Sequence, residues 1–459
     1  MRVDKMKTIV GFAWGLLAAA TVALGSCSSN KSLAVTCASS QACAAGAAGA
    51  GGSSGIADGG TASLAVFTKP TNPGPGGILF AASGEVLALT GYPFPPANDG
   101  DPAFVDGWNV HFTRLLVTLD NITLSNGPDV TPGDESCTEP TVAKVTGPWA
   151  VDLSHSDTSY LPGKGGAGEE AVPLAALSKQ NYPAGNDAPF DTSGTTPYAF
   201  GFDVLPATTS AMNVNIDAPG LVDYAQMVAD GCAVLYVGTA TFNGTSCTCP
   251  TATMPNQTCD ASIYGPGKWP QLGDTVPFHL CFKSPTSYVN CQNPPPDNNG
   301  TPLPGEENAR GIFFQSTSFV IGQVTIHTDH PFWDSVLHDT PAHFDQFAAR
   351  VAGMGPAGTG VTFPTVTLEM TEGVDYTQVK DALGNQLSWR YCVAPDTSVH
   401  PEFVGPMAFY ARSVPHTTGT DACQGLRDYY DFSTYDQSTQ GHLNSDGLCY
   451  VARHYPSPN

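Results

Sequence analysis

Residues 322–350 read GQVTIHTDHPFWDSVLHDTPAHFDQFAAR and hold four of the chain's eleven histidines: His327, His330, His338 and His343. Asp329, Asp334, Asp339 and Asp345 are interleaved with them. Val324 and Ile326 alternate with Thr325 and His327, the pattern of a strand with one buried face. On such a strand His327 and Asp329 share a face and His330 lies at its end. Pro331 is favoured at the first position of a helix, and Asp334 and His338, four apart, then share one helical face. Thr340-Pro341 repeats this start for a second helix carrying His343 and Asp345.

A strand end that feeds a helical turn can gather several of these groups. Imidazole nitrogens with a carboxylate suit zinc or copper, and neighbouring aspartates fix the ring tautomers. The expected metal ligands are therefore His327, Asp329, His330, Asp334 and His338. The residues match no fixed ligand motif such as H-E-x-x-H. A purely structural role competes: Asp329 caps a helix, Asp334–His338 is an ordinary helical pair, and the histidines sit at a surface junction.

Outward from this stretch the texture is that of a β protein. Strands are expected at 77–89, 108–124, 149–153, 198–216, 232–242, 276–282, 312–327, 361–370, 387–392 and 448–454. Short helices are expected at 173–179, 222–229, 331–337, 341–351 and 375–383. With 49 Gly, 39 Pro and only 13% charged residues, turns dominate the connections. The expected class is mostly β: an antiparallel β-sandwich, Ig-like or similar, with short helices and a disulfide-rich loop insertion. A net charge of -23 repels polyanions, so nucleic acid is excluded as a partner.

The amino terminus has the layout of a secretory signal: Arg2, Lys5 and Lys7, then an apolar run from Ile9 to Leu24. Thirteen cysteines in an exported chain leave, once Cys27 is set aside, an even number for up to six disulfides. Residues 27–63 are a Gly/Ala/Ser tether with a span of roughly 30–35 Å, in which Cys37 and Cys43 can close a small loop. Beyond it we expect a β-sandwich domain over 64–244 and a Cys/Pro-rich insertion over 245–307. A second β-rich region over 308–459 then carries the His/Asp cluster.

Other chemistry is sparse. Asn98-Asp99-Gly100-Asp101 with Asp106 lacks EF-hand spacing and reads as a polar turn. There is no Gly-x-Ser-x-Gly, no Cys-x-x-Cys-His and no phosphate-binding glycine loop. A paired-carboxylate hydrolase would be assembled in space and leave no local motif. Tyr429, Tyr430, Phe432 and Tyr435 with Asp428, Asp431 and Asp436 form a polar-aromatic patch that could stack on a surface glycan or dock a protein partner, although packing of Phe432 and Tyr430 against the sandwich is the favoured reading.

Leu24-Gly25-Ser26-Cys27 resembles the bacterial lipobox. That resemblance implies cleavage of residues 1–26, lipidation of Cys27 and attachment to a membrane through the lipid. Ser28 and Ser29 in place of aspartate imply the outer membrane. An exported β-sandwich lipoprotein with the His327–His338 cluster and a nearby Trp333 resembles the bacterial methanobactin-partner copper-binding proteins, which implies copper. The glycine-methionine-tryptophan run of that family is absent from this sequence.

Overall fold

The long alternating run at 108–124 becomes one strand, Trp108–Ser125, and the protein is built on it. The computed structural model describes residues 62–98, 101–128, 140–178, 190–244, 248–249, 257–258, 269–333, 342–374 and 428–453. Cys27, the tether and the segments expected at 375–383 and 387–392 lie outside the described residues.

The first half of Trp108–Ser125 pairs antiparallel with Val234–Phe242 on one side and Trp149–Asp152 on the other. Its second half pairs with Ser193–Val204 and Thr141–Val145. Thr275–Phe282 continues the sheet beyond Val234–Phe242. This large sheet is twelve-stranded. A second, five-stranded sheet runs Gly441–Leu443, Val320–Ile326, Ile78–Ser83, Glu170–Leu177, Leu161–Pro162.

Both faces of the large sheet are covered, and neighbouring residues show it. Leu115, Val117 and Leu119 enter one hydrophobic cluster, whereas Leu116 enters another. Val234 and Tyr236 point with the first set, and Leu235 with the second. Strands buried on both faces lose the apolar–polar alternation of a half-exposed sheet. The first cluster lies against the smaller sheet: Phe80 and Phe200 meet with ring centroids 6.3 Å apart. The second is roofed by the helix Ala218–Asp230 through Tyr224 and Met227.

That helix is specified locally. Asp217 caps it by accepting from the Gly220 amide at 2.8 Å, Pro219 opens it, and Gly231 closes it at φ 74°. Arg114 on the long strand reaches Asp217 at 2.7 Å and the buried Asp152 at 3.0 Å, tying helix to sheet. Cys232–Cys281 staples the same layer, and Cys291–Cys449 ties the carboxyl-terminal segment to the sheet.

The class is mostly β, but pairing is mixed rather than purely antiparallel. Val320–Ile326 runs parallel to Ile78–Ser83 in register from Val320↔Ile78 to Thr325↔Ser83. The stretches 64–244, 245–307 and 308–459 are interleaved: Thr275–Phe282 pairs with Val234–Phe242, and Val320–Ile326 with Ile78–Ser83. Of the helix expected at 173–179, residues 173–177 belong to the strand Glu170–Leu177. Pairing with Ile78–Ser83 wins there over local propensity, and Pro173 is accommodated beside a register shift at Phe80/Ala81. The strand expected at 77–89 ends at Ser83 and gives way to the helix Glu85–Thr90. The helix expected at 341–351 is one α turn, Asp345–Ala348. Among the described residues no helix is long and apolar enough to cross a membrane.

Candidate metal centre

Strand period places Gln323, Thr325 and His327 on one face of the Val320–Ile326 strand and its continuation. The antiparallel partner Gly441–Leu443 sets Thr325 opposite His442. The His327 amide donates to the Gln440 carbonyl at 3.0 Å, which extends the pairing by one step. His327 and His442 are therefore diagonal neighbours on one face, close enough for long side chains to touch. Their rings stack, with centroids 4.1 Å apart and planes inclined by 27°.

After His327 the chain bends into a 3-10 turn, His330–Phe332. Pro331 sits in its first positions and Phe332 is fully buried against Phe104 and Phe347. This anchor swings the His330 ring back over the other two, at 5.4 Å from His327 and 5.5 Å from His442. Donor atoms of His327, His330 and His442 all lie within 4.8 Å of one another. Glu85, His327 and Asp446 form a second such group.

The hydrogen bonding assigns ring nitrogens. Thr439 Oγ1 donates to the Asp436 carbonyl at 2.7 Å, so at 2.6 Å it accepts from His330 Nδ1. Nε2 is then the lone-pair nitrogen of His330. His327 Nε2 faces the Ser445 carbonyl at 3.1 Å and Glu85 Oε1 at 3.4 Å, so it carries a hydrogen and Nδ1 is the available ligand atom. Such outer hydrogen bonds orient ligating imidazoles in metal sites.

The electrostatics favour positive charge. Burial pulls the His327 imidazole down, yet Glu85 and Asp329, helped by the Ser445 carbonyl and Asp446, raise it above its ordinary value. The Glu85 carboxyl is raised, first by burial and then by Asp329, Glu169 and Asp446, against the lowering effect of His327. A group of carboxylates around imidazoles is an environment a divalent ion would satisfy.

Backbone strain concentrates at the same place. Glu85 (φ 62°), Asn444 (φ 51°) and Ser445 (φ 75°) are three of five described non-glycine residues in the left-handed region. Such conformations cost about 1–3 kcal/mol each and persist where surrounding contacts impose them. Here the Glu85 amide donates to Ser83 Oγ, Asn444 Oδ1 accepts from the Gln323 amide, and the Ser445 amide donates to Thr325 Oγ1. A buried polar chain runs on from Gln323 Nε2 to Glu169 Oε1 at 2.7 Å.

Of the expected ligands, the structure joins His327 and His330. Asp329 acts on His327 through its charge but is not in either donor group. Asp334 and His338 lie outside the described residues. His343 is buried, with its amide donating to the Phe332 carbonyl, and joins neither group. His442, Glu85 and Asp446 were not foreseen. The turn-forming run Asn444-Ser445-Asp446-Gly447 after Gly441-His442-Leu443 marks a hairpin, but nothing local says which strand it joins.

Two other groups are buried. Tyr429 and Tyr430 are 0% and 5% exposed, so they pack rather than present a docking surface. Asp106 turns inward, where its Oδ2 accepts from the amides of Phe344 and Asp345. Asp345 Oδ1 takes the Trp108 indole N–H at 2.7 Å. These two buried carboxyls tie segments together, Asp106 through the Asp345 amide and Asp345 through Trp108. No family model, curated protein or solved structure matches the chain.

Proposed function

We propose that the chain is an exported, lipid-anchored protein of the outer membrane that binds a transition metal, copper or zinc, through His327, His330 and His442. The convergence of three imidazoles within 4.8 Å carries this reading. Thr439, the Ser445 carbonyl and Glu85 orient two of the rings. Metal–nitrogen bonds of about 2.0–2.1 Å place tetrahedral ligand atoms roughly 3.3 Å apart, so binding requires the stacked rings to splay and close in. Two facing sheets with disulfide staples make a rigid, sandwich-type frame suited to an extracytoplasmic role. Lipidation at Cys27 rests on the lipobox resemblance.

The test is elemental analysis and metal titration of the full chain, purified in mild detergent without affinity histidines. Near one equivalent of copper or zinc is expected, lost in the His327→Ala/His442→Ala double variant with thermal stability retained. A protein that takes up neither ion on titration refutes the reading. A non-catalytic surface recognition module is the second reading, favoured by the cleft described next.

A further inference from the structure

A cleft of about 290 Å³ opens beside the Glu170–Leu177 strand and shares no residue with the histidine cluster. Its volume lies at the small end of ligand pockets, which run roughly 300–1,000 Å³, so it suits a single ring rather than an extended molecule. The floor is apolar: Val172 and Pro173 are buried, and Val214 and Phe67 pack half-buried against the core.

The rim is polar and carries both donors and acceptors. Asn215 is saturated, because Oδ1 accepts from the Asp152 amide while Nδ2 donates to the Asp152 carbonyl and to Tyr160 Oη, the latter two both at 2.7 Å. Asn215 therefore locks the Tyr160 ring in place, and the Tyr160 O–H has no acceptor among the described residues. Burial, against the lowering effect of Asn215, pushes that phenol up to about 12, so it stays a donor. Lys69 and Asp157, both exposed, stand on either side of the Ser159 backbone: Lys69 Nζ donates to its carbonyl and Asp157 Oδ1 accepts from its amide. His155 adds a ring nitrogen to the rim.

Opposite charges at the mouth cancel, so neither an anion nor a cation is selected. An apolar floor with a tyrosine wall, ringed by directional donors and acceptors, complements a molecule with one apolar face and hydroxyls around its edge. We infer that this cleft is a binding site for a neutral pyranose, either free or as the end of a glycan. Tyr160 and Asp157 are the hydroxyl-recognising residues.

The test is calorimetric titration of the full chain with D-glucose, D-galactose, D-mannose and N-acetyl-D-glucosamine, each into the tens of millimolar. At least one is expected to bind, and Tyr160→Phe or Asp157→Asn weakens it tenfold or more. Asp157 is exposed, so Asp157→Asn keeps wild-type thermal stability and separates lost recognition from lost folding. No binding of any of the four, or binding unchanged in both variants, overturns the inference. The His327→Ala/His442→Ala variant is expected to bind sugar as the wild type does, so failure here and failure of the metal reading are distinguishable.

Discussion

The imidazole of His442 stacks on that of His327 with ring centroids 4.1 Å apart, although 114 residues separate them in the chain. The contact exists because Gly441–Leu443 pairs with Val320–Ile326. Stacked imidazoles this close do not yet have the splayed geometry of bound ligands, and Glu85 and Asp329, against burial, raise His327 above its ordinary value. Protons and metal compete for the same imidazole nitrogens, so metal uptake should weaken as pH falls.

His330 offers a probe of ring orientation. Thr439→Val removes the acceptor of His330 Nδ1 without touching a ligand atom. Loss of such a partner typically costs about 10–100-fold in metal affinity. Titration of this variant should show that decrease, whereas Thr439→Ser should restore wild-type affinity.

Ser445 holds φ at 75° and presents its carbonyl to His327. Ser445→Gly keeps the carbonyl and relaxes the backbone, so metal affinity should be retained and the melting temperature should not fall. Ser445→Val forces a β-branched residue into the same conformation and is expected to destabilise by about 1–3 kcal/mol. Thermal unfolding of the two variants side by side measures the difference.

Cys291–Cys449 closes a sequence separation of 158 residues, and Cys449 lies just beyond the hairpin that carries His442. Removing a native disulfide typically costs about 2–5 kcal/mol. Cys291→Ser/Cys449→Ser should unfold earlier and bind metal more weakly, because His442 is then held by strand pairing alone. Removing Cys232–Cys281, which staples the helix layer, should lower stability while leaving the affinity of the folded protein unchanged.

The Asp106–Asp345 tie predicts a pH dependence. Burial raises Asp345 to about 7 despite the Trp108 bond, and burial together with Asp345 raises Asp106 well above the ordinary carboxylate range. The folded state therefore holds protons that the unfolded state releases near pH 4. This stabilisation is fully present below that value and is lost as pH rises through about 7. The slope from one such proton is about 1.4 kcal/mol per pH unit. Asp345→Asn should flatten the fall in melting temperature between pH 5 and 8 and be relatively more stable at pH 8.

Much of the frame was legible because it is local. The residues of Trp108–Ser125, Val234–Phe242 and Thr275–Phe282 alternate or run apolar between turn formers, and all three are strands close to the expected bounds. The helix expected at 222–229 lies within Ala218–Asp230, set by its own cap residues. Pairing is not local. The parallel match of Val320–Ile326 with Ile78–Ser83 joins segments some 240 residues apart, and no short-range pattern distinguishes that partner from any other strand. Pairing of Glu170–Leu177 with the other edge of Ile78–Ser83 likewise makes residues 173–177 strand rather than helix.

The histidine site divides along the same line. His327 and His330 were visible because a strand end and a proline-led turn sit side by side in sequence. His442, Glu85 and Asp446 were not, since each is brought in by a different element of the tertiary fold. By itself the sequence determined the β class, the positions of the long central strands and the two histidines His327 and His330, through periodicity and turn chemistry. Only the tertiary structure decided which strands are neighbours, and with that which side chains share a face, because contacts between residues far apart in the chain depend on the whole sheet closing around one core.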